Sequence, residues 1–292
     1  MPRPSPQTDR VVAVIELLSS TEHGATMTEI ATALAVNQAS CVHMLAALTA
    51  AGFLLREPDR RYHLGPALAR PGQLAAERYP VLAVAREEMA ALSSRFDLAC
   101  FAFEADDEHA RLVHYTWPAI QSPPAVRLGE TVPLTPPLGM VFVAWADEAR
   151  FADWLTLAPN TDAEIAAHYR AQRRAIGQLG FVVETAPPET RQAALAKVMV
   201  DRASPRRDGE LHRLLAGAGD PDFVVTDLDD VRPLAVTGIA APVFDADGRV
   251  VLSLNLVTFP EPLTSSDVTE IGVAVRLAAD RVTAATGGVA VR

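Results

Sequence analysis

The stretch from Thr26 to Leu64 constrains the fold more than any other part of the sequence. Thr26 and Glu29 fit the Ser/Thr-x-x-Glu capping box, in which each side chain accepts a hydrogen bond from a free N–H group at a helix start. Ile30 and Leu34 are four residues apart and therefore share one face of that helix. The pattern predicts a short amphipathic helix that begins directly after Thr26.

A second helix is predicted after a tight turn at Ala35-Val36. Asn37 is a favourable N-cap residue, and Gly52 stands where helices usually end. We therefore expect a helix from Gln38 to about Ala51. Its inner face is expected to carry four residues: Val42, Leu45, Leu48 and Thr49. Two short helices joined by a tight turn predict a helix-turn-helix unit.

A small hairpin is predicted after the second helix. Phe53-Leu54-Leu55 and Arg61-Tyr62-His63-Leu64 are typical of strands, and the turn Glu57-Pro58-Asp59-Arg60 separates them. Ahead of the pair, Arg10 to Leu18 supplies a first helix whose apolar residues support it. The second helix fits the major groove of DNA, and the wing fits the backbone or the minor groove. The arrangement indicates a DNA-binding domain.

These residues resemble the N-terminal winged helix-turn-helix of the IclR family of bacterial transcription regulators. In that family an R-A-L-x-I-L-like helix is followed by T-x-x-E-I-A, by S-T-V-x-R-L-L-x-x-L-x-x-x-G-Y and by R-Y-x-L-G. The matching residues here are Arg10 to Leu18, Thr26 to Ala31, Ser40 to Leu48, Gly52-Phe53 and Arg61 to Gly65. Order and spacing hold across all five segments.

The recognition helix departs from the family pattern. It has Ser40-Cys41-Val42-His43-Met44 where the family has S-T-V-x-R, and no Lys or Arg lies between Arg10 and Arg56. Cys41 and Met44 are expected to pack beneath the helix. We expect base contacts from Gln38, Ser40 and His43, and phosphate contacts from Arg56, Arg60 and Arg61. A merely solvated helix face is the alternative for Gln38 and His43.

The charge distribution bears on how DNA is bound. The chain of 292 residues has a net charge of −10, whereas residues 1–75 carry six arginines against six acidic residues and are neutral. Because phosphate neutralisation supplies much of the affinity for DNA, one copy with so few cations binds weakly. We therefore expect a homodimer or tetramer that presents several copies to double-stranded DNA.

Composition excludes several classes of protein. With 49% hydrophobic and 21% charged residues, the chain is typical of a soluble globular protein. No apolar run approaches the ~20 residues of a membrane span, and the N-terminus lacks the apolar core of a signal peptide. Cys41 and Cys100 cannot alone form a disulfide framework or a structural zinc site. We expect a cytoplasmic protein with no membrane partner and no cofactor.

The domain organisation follows from breaker residues and from periodicity. We assign the winged helix-turn-helix to residues 1–65, a linker helix to 66–80 and a second domain to 81–292. The linker helix is expected to be interrupted or kinked at Pro71-Gly72. Residues 186–222, rich in Pro, Arg, Asp and Gly, are interpreted as a segment on the protein surface.

The second domain is predicted to be α+β, with an antiparallel sheet flanked by helices. The predicted strands are Leu98 to Glu104, Arg111 to Trp117, Phe181 to Glu184, Val236 to Phe244 and Arg249 to Thr258. The predicted helices are Val81 to Arg95, Met140 to Ala146, Ile165 to Leu179 and Thr264 to about Thr286.

The second domain also resembles the IclR family, whose C-terminal half is a GAF-like effector-binding module. The family motif G-V-x-x-I-A-A-P-V-F-D-x-D-G is echoed by Val236 to Gly248. The motif R-x-G-x-x-x-P-L-H-x-x-A-x-G-K-A-x-L-A is echoed by Arg127 to Leu134 and by Gly139 to Ala144. The family's G-K-A becomes Gly139-Met140-Val141 here, and Gly238 stands where a cysteine is sometimes found. The resemblance spans the chain apart from residues 186–222.

The resemblance implies a small-molecule effector pocket. Small polar residues often line it on the strand after the D-G turn, and their equivalents here are Ser253, Asn255 and Val257, whereas Leu252, Leu254 and Leu256 are core. We expect the pocket to be bounded by Leu138, Gly139, Asp229, Asp230, Gly238 and Asn255. With few hydroxyl groups, such a pocket favours an effector larger and less polar than a short keto acid.

The sequence thus predicts a DNA-binding transcriptional regulator whose operator affinity is modulated by an effector, with family habit favouring repression. One alternative is a sensor or interaction protein of the same fold that has lost sequence-specific DNA binding. Another is a small-molecule enzyme in the second domain, but His109, His114, His168 and His212 are scattered and no catalytic motif is present. We therefore expect no enzymatic activity.

Overall fold

The computed structural model describes residues 6–19, 21, 23–77, 79–118, 128–129, 131–158, 162–185, 223–228 and 232–291. By its internal contacts the chain forms two compact units, Met1–Tyr79 and Pro80–Arg292.

The N-terminal unit is a winged helix-turn-helix. Its elements are α1 (Pro6–Ser19), β1 (Ala25–Thr26), α2 (Met27–Ala33), α3 (Gln38–Ala50), β2 (Leu54–Arg56) and β3 (Arg61–Leu64). The strands form an antiparallel sheet in the order β1-β3-β2. The predicted helices and wing are confirmed, whereas the two-residue strand β1 was not predicted, because it is too short to show a periodicity.

The caps that define α2 and α3 are formed as predicted. The Thr26 hydroxyl accepts a hydrogen bond from the N–H of Glu29 at 3.3 Å, and the Glu29 carboxylate accepts one from the N–H of Thr26 at 2.7 Å. The Asn37 carboxamide accepts a hydrogen bond from the N–H of Ser40 at 2.8 Å. Ala35, with φ of 51°, closes the turn, and the helix axes bend by 115° across it. The tight turn is closed locally by backbone hydrogen bonds from the N–H of Ala35 to the carbonyl of Thr32 and from the N–H of Val36 to the carbonyl of Ala31.

The prediction that Val42 faces the core is wrong, because its side chain is 46% exposed. The buried residues of α3 are Cys41, Leu45 and Leu48, which follow the i, i+4, i+7 spacing of a single stripe. Val42 lies one residue, about 100°, away from Cys41 around the helix. The small thiol therefore takes the core position, and the valine faces outward.

The segment after the wing also differs from the prediction. A short 3-10 turn at Pro66–Leu68 leads into α4 (Ala69–Glu77), which continues through Pro71-Gly72 without a break. Pro71 lies in the first turn of α4, where backbone N–H groups have no acceptor within the helix. A proline there removes no hydrogen bond, so the predicted interruption does not occur.

The C-terminal unit contains a seven-stranded antiparallel sheet in the order β6-β5-β4-β10-β9-β7-β8. The strands are β4 (Ala99–Ala105), β5 (His109–Thr116), β6 (Thr131–Pro133), β7 (Val182–Thr185), β8 (Val224–Val225), β9 (Val236–Phe244) and β10 (Val250–Val257). The short edge strands β6 and β8 were not predicted. The α+β class predicted from the sequence is confirmed.

Where the structure describes the chain, five helices accompany the sheet: α5 (Pro80–Phe96), α6 (Met140–Val143), α7 (Glu148–Thr156), α8 (Ala163–Leu179) and α9 (Ser265–Ala285). The predicted helix from Met140 to Ala146 is too long, and α7 was not predicted. The helix ends early because the carbonyl groups of Ala144 and Ala146 accept hydrogen bonds from the Arg173 guanidinium. Hydrogen bonds from a side chain of α8 thus take the place of those that further turns of α6 would have formed.

Each face of the sheet has its own core. Leu252, Leu254 and Leu256 are buried together with residues of α5 and α9, which confirms their prediction as core. On the opposite face, Val182 and Ala240 are buried with residues of α6, α7 and α8. Because side chains alternate along each strand, residues 253, 255 and 257 belong to this second face. The predicted ligand site therefore lies on the face covered by α6, α7 and α8.

Candidate nucleic-acid interface and ligand site

The outward surface of α3 carries the residues predicted to contact bases. Gln38, Ser40 and His43 are all exposed, as is Val42. A glutamine carboxamide pairs with the N6 and N7 atoms of adenine, and an apolar side chain contacts the methyl group of thymine. The surface offers uncharged groups suited to A·T base pairs. The individual base contacts remain predictions.

Two wing arginines are exposed as a phosphate contact requires. Arg60 lies in the turn between β2 and β3 with φ of 68°. The Arg56 guanidinium lies over the ring of Tyr62, 5.7 Å from its centroid. Tyr62 is itself buried, so its ring positions the guanidinium over the sheet, while Arg56 as a whole stays exposed. The geometry suits both arginines for DNA phosphates.

Arg61, also predicted to contact phosphate, forms hydrogen bonds within the N-terminal unit. Its Nη1 donates hydrogen bonds to the carbonyl of Gly24 at 3.1 Å and to the carboxylate of Glu29 at 3.3 Å. Hydrogen bonds from Thr26, aided by the charge of Arg61, lower the pKa of Glu29. Arg61 therefore ties β3 to the start of α2, a role that competes with binding to DNA. Sequence spacing could not reveal this contact, since residues 29 and 61 are distant along the chain.

The register of the second sheet brings two predicted effector residues together. Gly238 pairs with Val257, and Asn255 pairs with Ala240 on β9 and with Phe101 on β4. Gly238 and Asn255 are therefore diagonal neighbours on one face, and such pairs are about 7–8 Å apart. The prediction placed them at one site, and the register agrees with that.

Asn255 is oriented by its neighbours. Its Nδ2 donates hydrogen bonds to the carbonyl of Phe101 at 3.3 Å and to the hydroxyl of Ser253 at 2.9 Å. Ser253 is fully buried, whereas Asn255 is half-buried. Because both amide hydrogens point to these acceptors, Asn255 presents its carbonyl oxygen Oδ1 to the face of the sheet.

Glu184 is a functional candidate that the sequence reasoning missed. It lies on β7 directly opposite Gly238, and its Oε2 is 3.0 Å from the position that a Cβ on residue 238 would occupy. Burial raises the pKa of the Glu184 carboxyl to about 7, although part of the residue's surface stays exposed. A carboxylate at the end of an apolar strand was the available signal. Glycine at 238 makes room for this carboxyl group.

Leu138 and Gly139 serve the packing of α6. Gly139 has φ of 84°, and a Cβ there would lie 2.5 Å from the Leu134 side chain. Leu138 is buried, and its carbonyl accepts a hydrogen bond from the Trp154 indole at 3.1 Å. These residues place α6 against β9 and β10 on the ligand-site face. The other predicted pair, Asp229 and Asp230, lies outside the described residues.

An aromatic cluster extends the same face on β4 and β5. The Phe101 ring contacts those of Phe103, Tyr115 and Trp117, with centroids 6.2–6.4 Å apart. All four residues are half-buried. Tyr115 pairs with Phe101, which pairs with Asn255, so the cluster begins directly beside the carboxamide. The face therefore carries acceptor oxygens on one side and aromatic rings on the other.

Comparison with known proteins decides the nature of the N-terminal unit. Residues 7–58 match the family model of the IclR helix-turn-helix domain. This segment is similar to the IclR helix-turn-helix domain. The resemblance proposed from the sequence is thereby confirmed, since the matched residues include α1, α2 and α3.

Solved structures show that the whole chain has the IclR fold. An IclR transcriptional regulator from Alicyclobacillus acidocaldarius is 23% identical with a TM-score of 0.56, covering 98% of this chain and 100% of that one. The Thermotoga maritima IclR is 15% identical with a TM-score of 0.60, covering 96% and 98%.

An IclR homolog from Microbacterium hydrocarbonoxydans complexed with 4-hydroxybenzoate is 14% identical with a TM-score of 0.53, covering 96% and 99%. At these identities the likeness concerns the fold alone. Among curated protein sequences, none matches significantly.

Two further observations concern metal binding and membrane-spanning helices. Within the described ranges, no group of three or more His, Cys, Asp or Glu residues is arranged to hold a metal ion. In the same ranges no single helix is long and apolar enough to cross a membrane, although α2 and α3 meet that test jointly despite their 115° bend. Cys41 and Cys100 are both buried, as expected for core residues.

Proposed function

We propose that the protein is a transcriptional regulator that binds operator DNA through α3 and the wing and is released by a small-molecule effector. The observation that carries the proposal is the IclR helix-turn-helix domain at residues 7–58, whose recognition helix exposes Gln38, Ser40 and His43. Release by the effector makes it a repressor.

The second unit supports effector binding. Gly238, Asn255 and Glu184 share one face of the sheet, and burial raises the pKa of the half-buried Glu184 carboxyl to about 7. Charged groups buried away from ion pairs are costly and concentrate at functional sites. The complex of the Microbacterium homolog with 4-hydroxybenzoate supports a small organic molecule as the ligand type.

The proposed mechanism is a shift between two spacings of paired DNA-binding units. A homodimer or tetramer presents several recognition helices, and its half-sites must lie a helical turn or a multiple of it apart. The segment at residues 66–80, which contains all of α4, sets that spacing. An effector that binds one spacing better than the other shifts the population by that difference in affinity.

Binding to DNA from upstream of the protein's own gene tests the proposal. The affinity of the purified protein for that fragment and for a scrambled fragment is measured across a salt series. We expect a preference for the native fragment that is lost in Gln38→Ala/His43→Ala. Val12→Ala is the matched control, because Val12 is 49% exposed on α1. Failure to bind any DNA at moderate salt would overturn the proposal.

A second candidate function is a ligand sensor of the same fold without sequence-specific DNA binding. Two observations favour it: α3 has no lysine or arginine, and Arg61 is engaged with Glu29 rather than free for phosphate. Such a protein binds native and scrambled DNA equally, with an affinity that depends only on salt.

A further inference from the structure

We propose that the effector is a primary amine with an aromatic or alicyclic body. Its ammonium group binds between the Glu184 carboxylate and the Asn255 Oδ1 atom, and its hydrocarbon part lies against the rings of Phe101, Tyr115 and Trp117. This inference rests on the proposed function, since it names the chemical class that the effector site accepts.

The polar atoms on this face are acceptors. Both N–H groups of Asn255 are used, one by the Phe101 carbonyl and one by the Ser253 hydroxyl, so the carboxamide offers only Oδ1. An ionised Glu184 also offers only acceptor oxygens. A ligand that forms hydrogen bonds with both residues must therefore carry donors, and a primary ammonium group carries three N–H donors.

Glu184 has no partner of opposite charge in the part of the chain that the structure describes. Among the described residues, none forms a hydrogen bond or an ion pair with its carboxylate. Its pKa is raised by desolvation, since burial disfavours the charged form. A cation bound beside it offsets that cost and holds the carboxylate in its ionised form. Within the described ranges Glu184 is thus an acid without a counter-ion, to which a cation binds favourably.

The carboxylate and the carboxamide share one face of the sheet. Glu184 lies opposite Gly238, and its Oε2 is 3.0 Å from where a Cβ on residue 238 would stand, so the carboxylate extends over the glycine. Gly238 and Asn255 are diagonal neighbours, so the extended carboxylate is brought towards the Asn255 side of this face. A nitrogen bound between the carboxylate and Oδ1 donates to both.

The aromatic cluster defines the rest of the ligand. Phe101 is the strand neighbour of Asn255, and its ring lies 6.2 Å from Tyr115 and 6.4 Å from Trp117. These half-buried rings offer apolar surface, and their negative faces attract a cation. A hydrocarbon body joined to the ammonium group therefore lies in the direction of β4 and β5.

A carboxylate ligand fits this face poorly. Among the residues that the described strands β4, β7, β9 and β10 place on it, none carries a basic side chain. An anion would instead face the Glu184 carboxylate, and like charges repel. The site thus discriminates between an amine and the acid of the same shape.

Calorimetric titration of the purified full-length protein with three charge-inverted pairs tests the proposal. The probes are benzylammonium against benzoate, 2-phenylethylammonium against phenylacetate and cyclohexylammonium against cyclohexanecarboxylate. At least one amine is expected to bind about tenfold or more tightly than its acid. Glu184→Gln is expected to weaken that amine by about tenfold or more, because it removes a charge-assisted hydrogen bond.

Two controls separate recognition from folding. Glu261→Gln removes an exposed carboxylate elsewhere in the unit and is expected to leave the amine affinity unchanged. Phe101→Leu leaves Glu184 and Asn255 in place and is expected to weaken the amine severalfold through the lost ring contact.

Three results would overturn the amine assignment: tighter binding of the acids, no binding of any amine, or full affinity in Glu184→Gln. If an acid binds and also releases the protein from a specific DNA fragment, the effector is not an amine, but the protein is still a regulator. If the protein binds no DNA but binds amines as described, it is not a regulator, but its ligand is still an amine.

Discussion

Glu184 links the stability of the C-terminal unit to pH. Its pKa is raised from 4.5 to about 7 in the folded protein, because burial disfavours the carboxylate. The folded state therefore holds this proton more tightly than the unfolded state. The associated stability is fully present below pH 4.5 and is lost as the pH rises through about 7.

Glu184→Gln is expected to remove this loss. At pH 8 the variant should be more stable than the wild type by about 1–3 kcal/mol, a range that allows for the partial exposure of the residue. At pH 4.5 the two should differ little. Urea unfolding at pH 4.5, 6 and 8 measures this, and parallel pH profiles for the two proteins would contradict it.

Neighbouring residues of α3 separate stability from recognition. Leu45 is fully buried, so Leu45→Ala should cost about 2–5 kcal/mol of unfolding free energy. Val42 is 46% exposed, so Val42→Ala should change stability by less than about 0.5 kcal/mol while weakening binding to A·T-containing DNA. Urea unfolding and DNA titration of both variants check this, and a large stability loss in Val42→Ala would contradict the outward orientation.

At the scale of elements, Arg173 of α8 holds the end of α6 and the start of α7. Its Nε donates to the carbonyl of Ala144 at 3.0 Å, its Nη1 contacts Glu148 at 2.7 Å, and the guanidinium lies over the Phe151 ring at 4.5 Å. A lysine has neither the planar fork nor the second nitrogen needed for these contacts. Arg173 therefore supplies hydrogen bonds to backbone carbonyl groups that a longer helix α6 would have bonded internally.

Arg173→Lys is accordingly expected to lower the unfolding free energy by about 1–3 kcal/mol. Arg170→Lys, on the same helix and also near Glu148 but 45% exposed, serves as the matched control and should cost less than about 0.5 kcal/mol. Chemical unfolding of the two variants gives the comparison. Equal losses would show that the fork geometry of Arg173 is unimportant.

Elements with local determinants were predictable from sequence. Val236–Phe244 was predicted to the residue, because an alternating apolar strand ends at the turn Asp245 to Gly248. The long helix α9 begins at Ser265, directly after its N-cap Thr264, the residue at which the predicted helix begins and at which a capping box with Asp267 forms. In contrast, β1, β6 and β8 have two or three residues each and form only because a neighbouring strand pairs with them. Their sequences carry too little periodicity to reveal them.

Some residues of the candidate site were likewise predictable from the sequence, and others were not. Asn255 stands out as a polar residue in an apolar strand, and Gly238 interrupts another. Glu184 was missed because its position depends on the pairing of β7 with β9, which are distant in sequence. The outward Val42 was missed because helical spacing alone fits either Cys41 or Val42 as part of the buried stripe. Contacts between distant segments account for both errors.

At the scale of the whole molecule, the charge distribution predicts a shallow salt dependence. Of the three wing arginines, Arg56 and Arg60 are exposed and Arg61 is engaged with Glu29. A dimer then neutralises about four phosphates through its wings, so the slope of log K against log salt should be about −4.

Removing one wing arginine should change that slope. Arg60→Gln is expected to reduce its magnitude by about 2 in a dimer, since two phosphate contacts are lost. Arg61→Gln should instead leave the slope nearly unchanged and lower the stability of the N-terminal unit. Fluorescence anisotropy across a salt series gives both slopes, and a larger change in Arg61→Gln would reverse the assignment.

The most direct test of the central claim is selection of binding sites from random double-stranded DNA by the full-length protein. The account predicts enrichment of paired half-sites, a helical turn or a multiple of it apart, with A·T pairs under α3. Enrichment should be lost in Gln38→Ala/His43→Ala and retained in Val12→Ala. A pool that stays random while the protein binds it in a salt-dependent manner would contradict the claim and leave a ligand sensor without sequence-specific DNA binding.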